Sequence, residues 1–257
     1  MTLDITQKGN LGIIRFNRPE AYNSFNRELA LSLIETLEKF NQDASVRAVL
    51  LTGNGKAFCA GQDLKEAVED NGITVERMVE EHYNPVVKLI RELDKPVIAA
   101  VNGVAAGAGA NIAFACDVTV ATKSASFIQA FSKIGLVPDS GGTFTLPRLI
   151  GFQKASALMM LADNISATEA EQLGLIYKVF EDETFAEEAE KIAVKLSNMP
   201  TKGLAYTKKL LNLSFTNDLN AQLQQEKEYQ ALASATYDSQ EGINAFLEKR
   251  KPEFKGE

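Results

Sequence analysis

The stretch IGLVPDSGGTF, residues 134–144, places one carboxylate, Asp139, between a proline and a Ser-Gly-Gly turn at a helix start. Upstream, ASFIQAFSKIGLVP (125–138) is largely apolar and holds one charge, Lys133. A carboxylate at the edge of such surroundings has its charged form disfavoured, which raises its pKa toward a value useful for proton transfer. The same residue is also placed to be an ordinary helix N-cap for Ser140–Gly142, and this stretch alone favours the cap.

Two other stretches offer backbone chemistry. In GKAFCAGQDL (55–64) a strand end opens into a glycine turn, leaving N–H groups without partners, that of Gln62 among them. In NGVAAGAGANIAFACD (102–117), Gly107, Ala108, Gly109 and Ala110 begin a helix with almost no side chains. Free first-turn N–H groups and the positive end of the helix dipole can there approach a ligand oxygen closely. The first stretch reads equally as a strand-to-helix loop, the second as tight packing through small residues. A dinucleotide fingerprint is weak, because Ile112 stands where the third glycine belongs. GNGKA lacks the Ser/Thr of a phosphate loop.

Several chemistries are set aside. The single histidine, His82, and the lack of any Cys/His/Asp cluster at ligand spacing argue against a metal site or a histidine-dependent nucleophile. His82 lies on an expected helix and reads as solvated. Cys59 and Cys116 read as buried small hydrophobes rather than a redox pair. The net charge of −7, with no lysine- or arginine-rich block, speaks against a nucleic-acid surface. MTLDITQKGN has no signal-peptide pattern and no apolar run reaches the ~20 residues of a membrane span, so a cytoplasmic protein is expected, with no membrane partner.

What must position these groups is an α/β core. LGIIRF (11–16), RAVLLTG (47–53), KPVIAAVNG (95–103) and CDVTVAT (116–122) read as strands, the last three continuously apolar and hence buried on both faces. Leu29, Leu33, Leu37 and Phe40 recur at helical spacing behind Asn26 as N-cap. Beyond about residue 140 the pattern is helical except for a short strand within 175–180. Capping boxes are expected at Ser166–Glu169 and Thr184–Glu187, and a helix stop at Gly174. No fixed-period repeat stands out, and 201–249 reads as successive amphipathic helices.

In this order and at this spacing, IIRFNRPEAYNSFN, GKAFCAGQDL, KPVIAAVNG, PDSGGTFTLPRLIG and EGINAFLEKRKPEF resemble the crotonase (enoyl-CoA hydratase/isomerase) superfamily over nearly the whole chain. The resemblance implies an α/β spiral of ββα units over 1–195 and a C-terminal helical region, 196–257, that makes homotrimers, often paired into homohexamers. It implies a thioester enolate held by two backbone N–H groups, those of Gln62 and Gly109. Ala60 and Ala105 would line the thioester path, Asn111 and Phe131 would meet the substrate, and Lys65, Lys249, Arg250 or Lys255 would hold the CoA phosphates. No cofactor is implied, since coenzyme A is part of the substrate.

The departures narrow the expected activity. Hydratases of the family carry two glutamates where this chain has Asn111 and Phe131. With Asp139 alone, the resemblance implies an isomerase that moves a proton between two carbons of a bound acyl-CoA. It is similar, stretch by stretch, to the branch that isomerises ring-1,2-epoxyphenylacetyl-CoA to an oxepin thioester in phenylacetate degradation and shifts double bonds in unsaturated acyl-CoAs. A 2-enoyl-CoA hydratase with non-standard residues is the alternative. A dehalogenase-like enzyme needing a placed histidine, and an RNA-binding member of the fold, are less well matched. The acyl group accepted is expected to depend on the region around 65–85.

Overall fold

The computed structural model describes residues 1–69 and 73–257, with the backbone course alone for 67–69. The chain opens with β1 (Leu3–Lys8), β2 (Leu11–Phe16), α1 (Arg27–Gln42), β3 (Ala48–Gly53), β4 (Ala57–Cys59), α2 (Leu64–Glu69) and α3 (Val75–Met78). A π-helical turn, Val79–Tyr83, leads into α4 (Asn84–Glu92), followed by β5 (Val97–Val101), β6 (Val104–Ala106), α5 (Ala108–Ala115), β7 (Val118–Thr122) and β8 (Ser126–Ile128). After a 3-10 turn at Ala130–Ile134 come α6 (Gly142–Leu161), β9 (Asn164–Ser166), α7 (Ala167–Gln172), β10 (Lys178–Phe180), α8 (Phe185–Ser197), α9 (Thr201–Leu213), α10 (Leu219–Ser234) and α11 (Tyr237–Leu247).

The strands form a six-stranded sheet, ordered β1-β2-β3-β5-β7-β10, and a four-stranded sheet, ordered β4-β6-β8-β9. In the larger sheet β1 pairs antiparallel with β2 and the remaining pairs are parallel. The continuously apolar strands follow from cover on both faces. Val49, Leu51, Val97, Ala99 and Val101 enter the main core with α1 and α4. Leu50, Ile98, Ala100 and Val120 face Phe185, Ala189 and Ala193 of α8.

The chain alternates between the sheets, and this positions the site. β3, β5 and β7 each run through the large sheet and are followed by a three-residue strand, β4, β6 or β8, in the small one. A helix or helical turn follows each pair, which is the repeating ββα unit that no fixed sequence period announced. Because β4 pairs with β6 in parallel, the turn leaving β4 lies beside the turn leaving β6.

Local chemistry explains most of the helix ends. The Asn26 carboxamide accepts the Leu29 N–H at 3.0 Å, and Ser166 Oγ accepts the Glu169 N–H at 3.1 Å. Gly174, at φ 76°, ends α7 with the Leu175 N–H on the Ala170 carbonyl and its own N–H on Glu171, the paired bonds of a Schellman stop. The expected box at Thr184 does not form. Its hydroxyl donates to the Glu181 carbonyl and its backbone is helical rather than extended, while Glu187 is taken by Lys191 at 2.7 Å. Nor is the chain beyond 140 helical apart from one strand, since Asn164–Ser166 pairs with β8.

The C-terminal helices dock through buried cations. Lys208, 6 % exposed, donates to the Ile90 carbonyl at 2.6 Å and pairs with Asp117 at 2.8 Å. Arg47 of the N-terminal half donates to Thr201 Oγ1, the Met199 carbonyl and the Phe254 carbonyl at 2.9, 2.6 and 2.8 Å. Helix α10 has no buried residue, and no helix among the described residues is long and apolar enough to cross a membrane.

Candidate active site

A cavity of about 240 Å³ opens where the ββα turns meet. One wall is the turn Ala60-Gly61-Gln62, the facing wall is Gly107-Ala108, and Ala130, Phe131 and Asp139 close the end. Leu64, Val75, Met78, Val79 and Tyr83 line the remaining side, so the cavity is mostly apolar.

The first turn is held from below. Asp63 accepts Arg18 Nη2 at 2.8 Å, and despite its partial burial this guanidinium and nearby N–H groups hold its carboxyl below the usual range. Gly61, at φ 91°, would bring a Cβ to 3.0 Å from the Ala106 carbonyl, so both the conformation and the close approach of the two turns require glycine. Among the described residues, Gln62 N–H donates to no backbone carbonyl.

On the facing turn the structure corrects one sequence expectation. Gly109 does not line the cavity. It packs on β4, where a Cβ would fall 2.4 Å from the Cys59 carbonyl and 2.6 Å from its Sγ. Its missing side chain serves packing, and the helix residue on the cavity wall is Ala108. As the first residue of α5, Ala108 has a first-turn N–H without an intrahelical acceptor. Gln62 and Ala108 both line the cavity, and among the described residues neither backbone N–H donates to a backbone carbonyl.

Asp139 is not a helix cap. The N-cap of α6 is Gly141, with no side-chain cap bond, and the Gly142 N–H goes to the Asp139 carbonyl at 2.9 Å rather than to its carboxylate. The carboxylate accepts Ser140 Oγ at 2.9 Å. Burial pushes its pKa above the ordinary value, partly opposed by the Ser140 hydroxyl and its own backbone N–H. Ser140, at φ 50°, takes a left-handed conformation in this turn.

Asn111, expected at the substrate, instead lies behind the turn. It is 1 % exposed, its Nδ2 donates to the Asp139 carbonyl at 2.9 Å, and its Oδ1 accepts Gln129 Nε2 at 2.8 Å. A Cβ on Gly142 would strike this carboxamide at 2.4 Å. Asn111 thus holds the strained turn that presents Asp139.

The remaining expectations divide. Ala60 and Phe131 line the cavity, whereas Ala105 is fully buried in the core cluster. Lys65 is exposed beside the cavity residue Leu64. Lys249 is exposed, at φ 55°, just past α11. Arg250 is already engaged, its guanidinium held by both oxygens of Glu241 at 2.6 and 2.8 Å and by Glu248 at 2.6 Å. Lys255 lies over the Tyr237 ring at 4.3 Å. His82 is helical but buried, 3 % exposed, with Nε2 at 3.2 Å from Arg27 Nη1, on the same face as buried Met78, Val86 and Ile90. Burial pushes the Cys59 thiol up to about 12 and the Cys116 thiol higher still, consistent with inert packing. Within the region 65–85, residues 70–72 lie outside the described residues. Tyr83, which no sequence pattern singled out, lines the cavity and donates its hydroxyl to Gln62 Oε1.

The family model for enoyl-CoA hydratase/isomerase matches residues 6–257. The chain belongs to this family. It is 46 % identical over 250 residues to the 1,2-epoxyphenylacetyl-CoA isomerase of Escherichia coli K12, covering 95 % of this chain and 94 % of that one. It is 42 % identical over 246 residues to a probable enoyl-CoA hydratase of Rhodobacter capsulatus, covering 96 % and 95 %. The crystal structure of an enoyl-CoA hydratase from Bacillus anthracis superposes over 100 % of both chains with a TM-score of 0.93 at 35 % identity. This crotonase-family enzyme therefore has the fold of its relatives, a family that acts on acyl-CoA substrates.

Proposed function

We propose that the protein is an acyl-CoA isomerase with one aspartate acid/base. The observation that carries this reading is that Asp139 is the one carboxylate on the cavity wall among the described residues, raised in pKa and released from capping. The thioester oxygen is received by the N–H groups of Gln62 and Ala108. Preorganised donors of this kind are worth about 10²–10³ each in rate. With a 3-enoyl thioester, Asp139 takes the C2 proton and negative charge passes to the thioester oxygen. The same carboxyl returns the proton at C4, leaving the double bond between C2 and C3. Adding water calls for groups that activate water and also protonate carbon, and Asn111 and Phe131 supply neither.

The 46 % identity to an enzyme named as a 1,2-epoxyphenylacetyl-CoA isomerase, with Phe131 on an apolar wall, supports a ring epoxide as a further substrate. Exposed Lys65 beside the cavity is the favoured contact for the CoA phosphates. Leu219, Leu223 and Leu232, exposed on α10, support the expectation of a homo-oligomer.

The test is incubation of the protein and its Asp139→Asn variant with 3-enoyl-CoA and 2-enoyl-CoA in deuterated water, products followed by mass. Double-bond migration with deuterium uptake, lost in the variant, is expected. Hydration to 3-hydroxyacyl-CoA that survives the substitution would show a hydratase, as several relatives are named, and sink this reading.

A further inference from the structure

The oxyanion contact proposed for Gln62 uses its backbone, yet its side chain is restrained at both ends. Gln62 Oε1 accepts the Tyr83 hydroxyl, and Nε2 donates to the Asp63 carbonyl at 3.3 Å. Its backbone runs in a parallel bridge beside Phe25, with the Phe25 N–H on the Gly61 carbonyl at 2.7 Å and the Asp63 N–H on the Phe25 carbonyl at 2.8 Å. The ring of Tyr83 packs on Phe25 at 5.8 Å between centroids. One phenol therefore reaches both the side chain of Gln62 and the residue that fixes its backbone.

The placement of Tyr83 is built into its helix. It ends the π-helical turn Val79–Tyr83, immediately before the Asn84-Pro85 start of α4. A π turn carries an extra residue and shifts the register of the side chains that follow. Tyr83 is 3 % exposed and lines the cavity. Burial first, and the charge of Asp139 second, keep its hydroxyl protonated, so it is a permanent donor.

We propose that Tyr83 is a positioning residue: through the Gln62 side chain it aims the Gln62 backbone N–H at the thioester oxygen. This rests on the reading of Gln62 N–H as an oxyanion donor. Such a donor must stand 2.7–3.1 Å from the oxygen as charge develops, and small displacements are costly because the bond is made mainly in the transition state.

The experiment compares wild type with Tyr83→Phe, Gln62→Met and the double variant. Steady-state isomerisation of 3-enoyl-CoA is measured, together with the infrared thioester carbonyl band of bound butyryl-CoA, which cannot isomerise. Thermal unfolding of each variant checks that it is folded, and Gln62→Met removes the same hydrogen bond while leaving the ring in place. From the strength of one neutral hydrogen bond, kcat in Tyr83→Phe should fall about 5- to 10-fold with KM nearly unchanged. The carbonyl band should move back toward that of free butyryl-CoA. Gln62→Met should do the same, and the double variant should be no worse than either. Wild-type kcat and band position in Tyr83→Phe would overturn the inference. So would a full further loss when Tyr83→Phe is added to Gln62→Met, since the hydroxyl would then act elsewhere. A wild-type protein that leaves the carbonyl band unshifted would instead remove the oxyanion reading, and Tyr83's role with it. A shifted band without isomerisation would remove only the isomerase.

Discussion

The carboxylate of Asp139 faces an apolar cavity with one side-chain donor, Ser140, whereas the carboxylates of α11 are surrounded by donors. Asp238, 2 % exposed, accepts the N–H groups of Lys255 and Gly256 at 2.6 and 2.8 Å. Glu241 takes the Arg250 guanidinium and the Glu253 N–H. Desolvation dominates at Asp139 and raises its pKa. At Glu241 the Arg250 hydrogen bonds dominate, and its pKa falls to about 2. A carboxylate with its lone pairs satisfied holds chain together. One left short of partners in an apolar wall is available to a substrate proton, at some expense in stability.

The strongest way to break this comparison is Asp139→Asn, which should lower isomerase kcat by about 10²–10⁴, the range for losing a general acid/base. The same variant should unfold at the same or a higher temperature at pH 7. A carboxylate whose folded pKa is raised contributes stability only at low pH and loses it as pH rises through that pKa, so its removal relieves a cost at neutrality. A lower midpoint at pH 7 would show that Asp139 is a structural carboxylate after all.

Asp238→Ala should act in reverse, leaving kcat near wild type while costing about 1–3 kcal/mol in denaturant unfolding, because two N–H groups lose their acceptor. Glu241→Gln should also lower the melting temperature at neutral pH. Its depressed pKa gives stability that is complete above the ordinary glutamate range near ~4.3 and lost as pH falls toward the folded value. The gap between variant and wild type should therefore narrow in melts taken between pH 5 and pH 2. The smallest effect is expected from Ser140→Ala. With the hydroxyl gone, the Asp139 pKa rises further, and the acidic limb of the kcat/KM profile should move to higher pH.

Much of this was legible in the residues. The long strands announced themselves because cover on both faces makes them continuously apolar, and Asn26, Ser166 and Gly174 carry their own capping chemistry. The small sheet was not legible, since three residues such as Ala57–Cys59 or Val104–Ala106 are too few for a period to show. Asp139 was found, but its choice between cap and cavity depends on where the first N–H groups of α6 go, which only the turn geometry decides. The missing side chain of Gly109 signals close approach without saying to what, and the close neighbour is Cys59 rather than the cavity that Ala108 lines. His82 and Tyr83 share the buried face of Met78, Val86 and Ile90, but a polar histidine and a tyrosine on such a face do not themselves say whether they meet solvent, core or a cavity.

Arg47 carries a consequence for how the chain comes together. Its guanidinium closes on carbonyls of Met199 and Phe254, 152 and 207 residues further along. Contacts at such separation are made late, after the loop between them has been closed. The Arg47 guanidinium therefore gains these carbonyl acceptors only once residues 199–254 have folded back beside β3, so the C-terminal helices and the strand core lock to each other through one side chain.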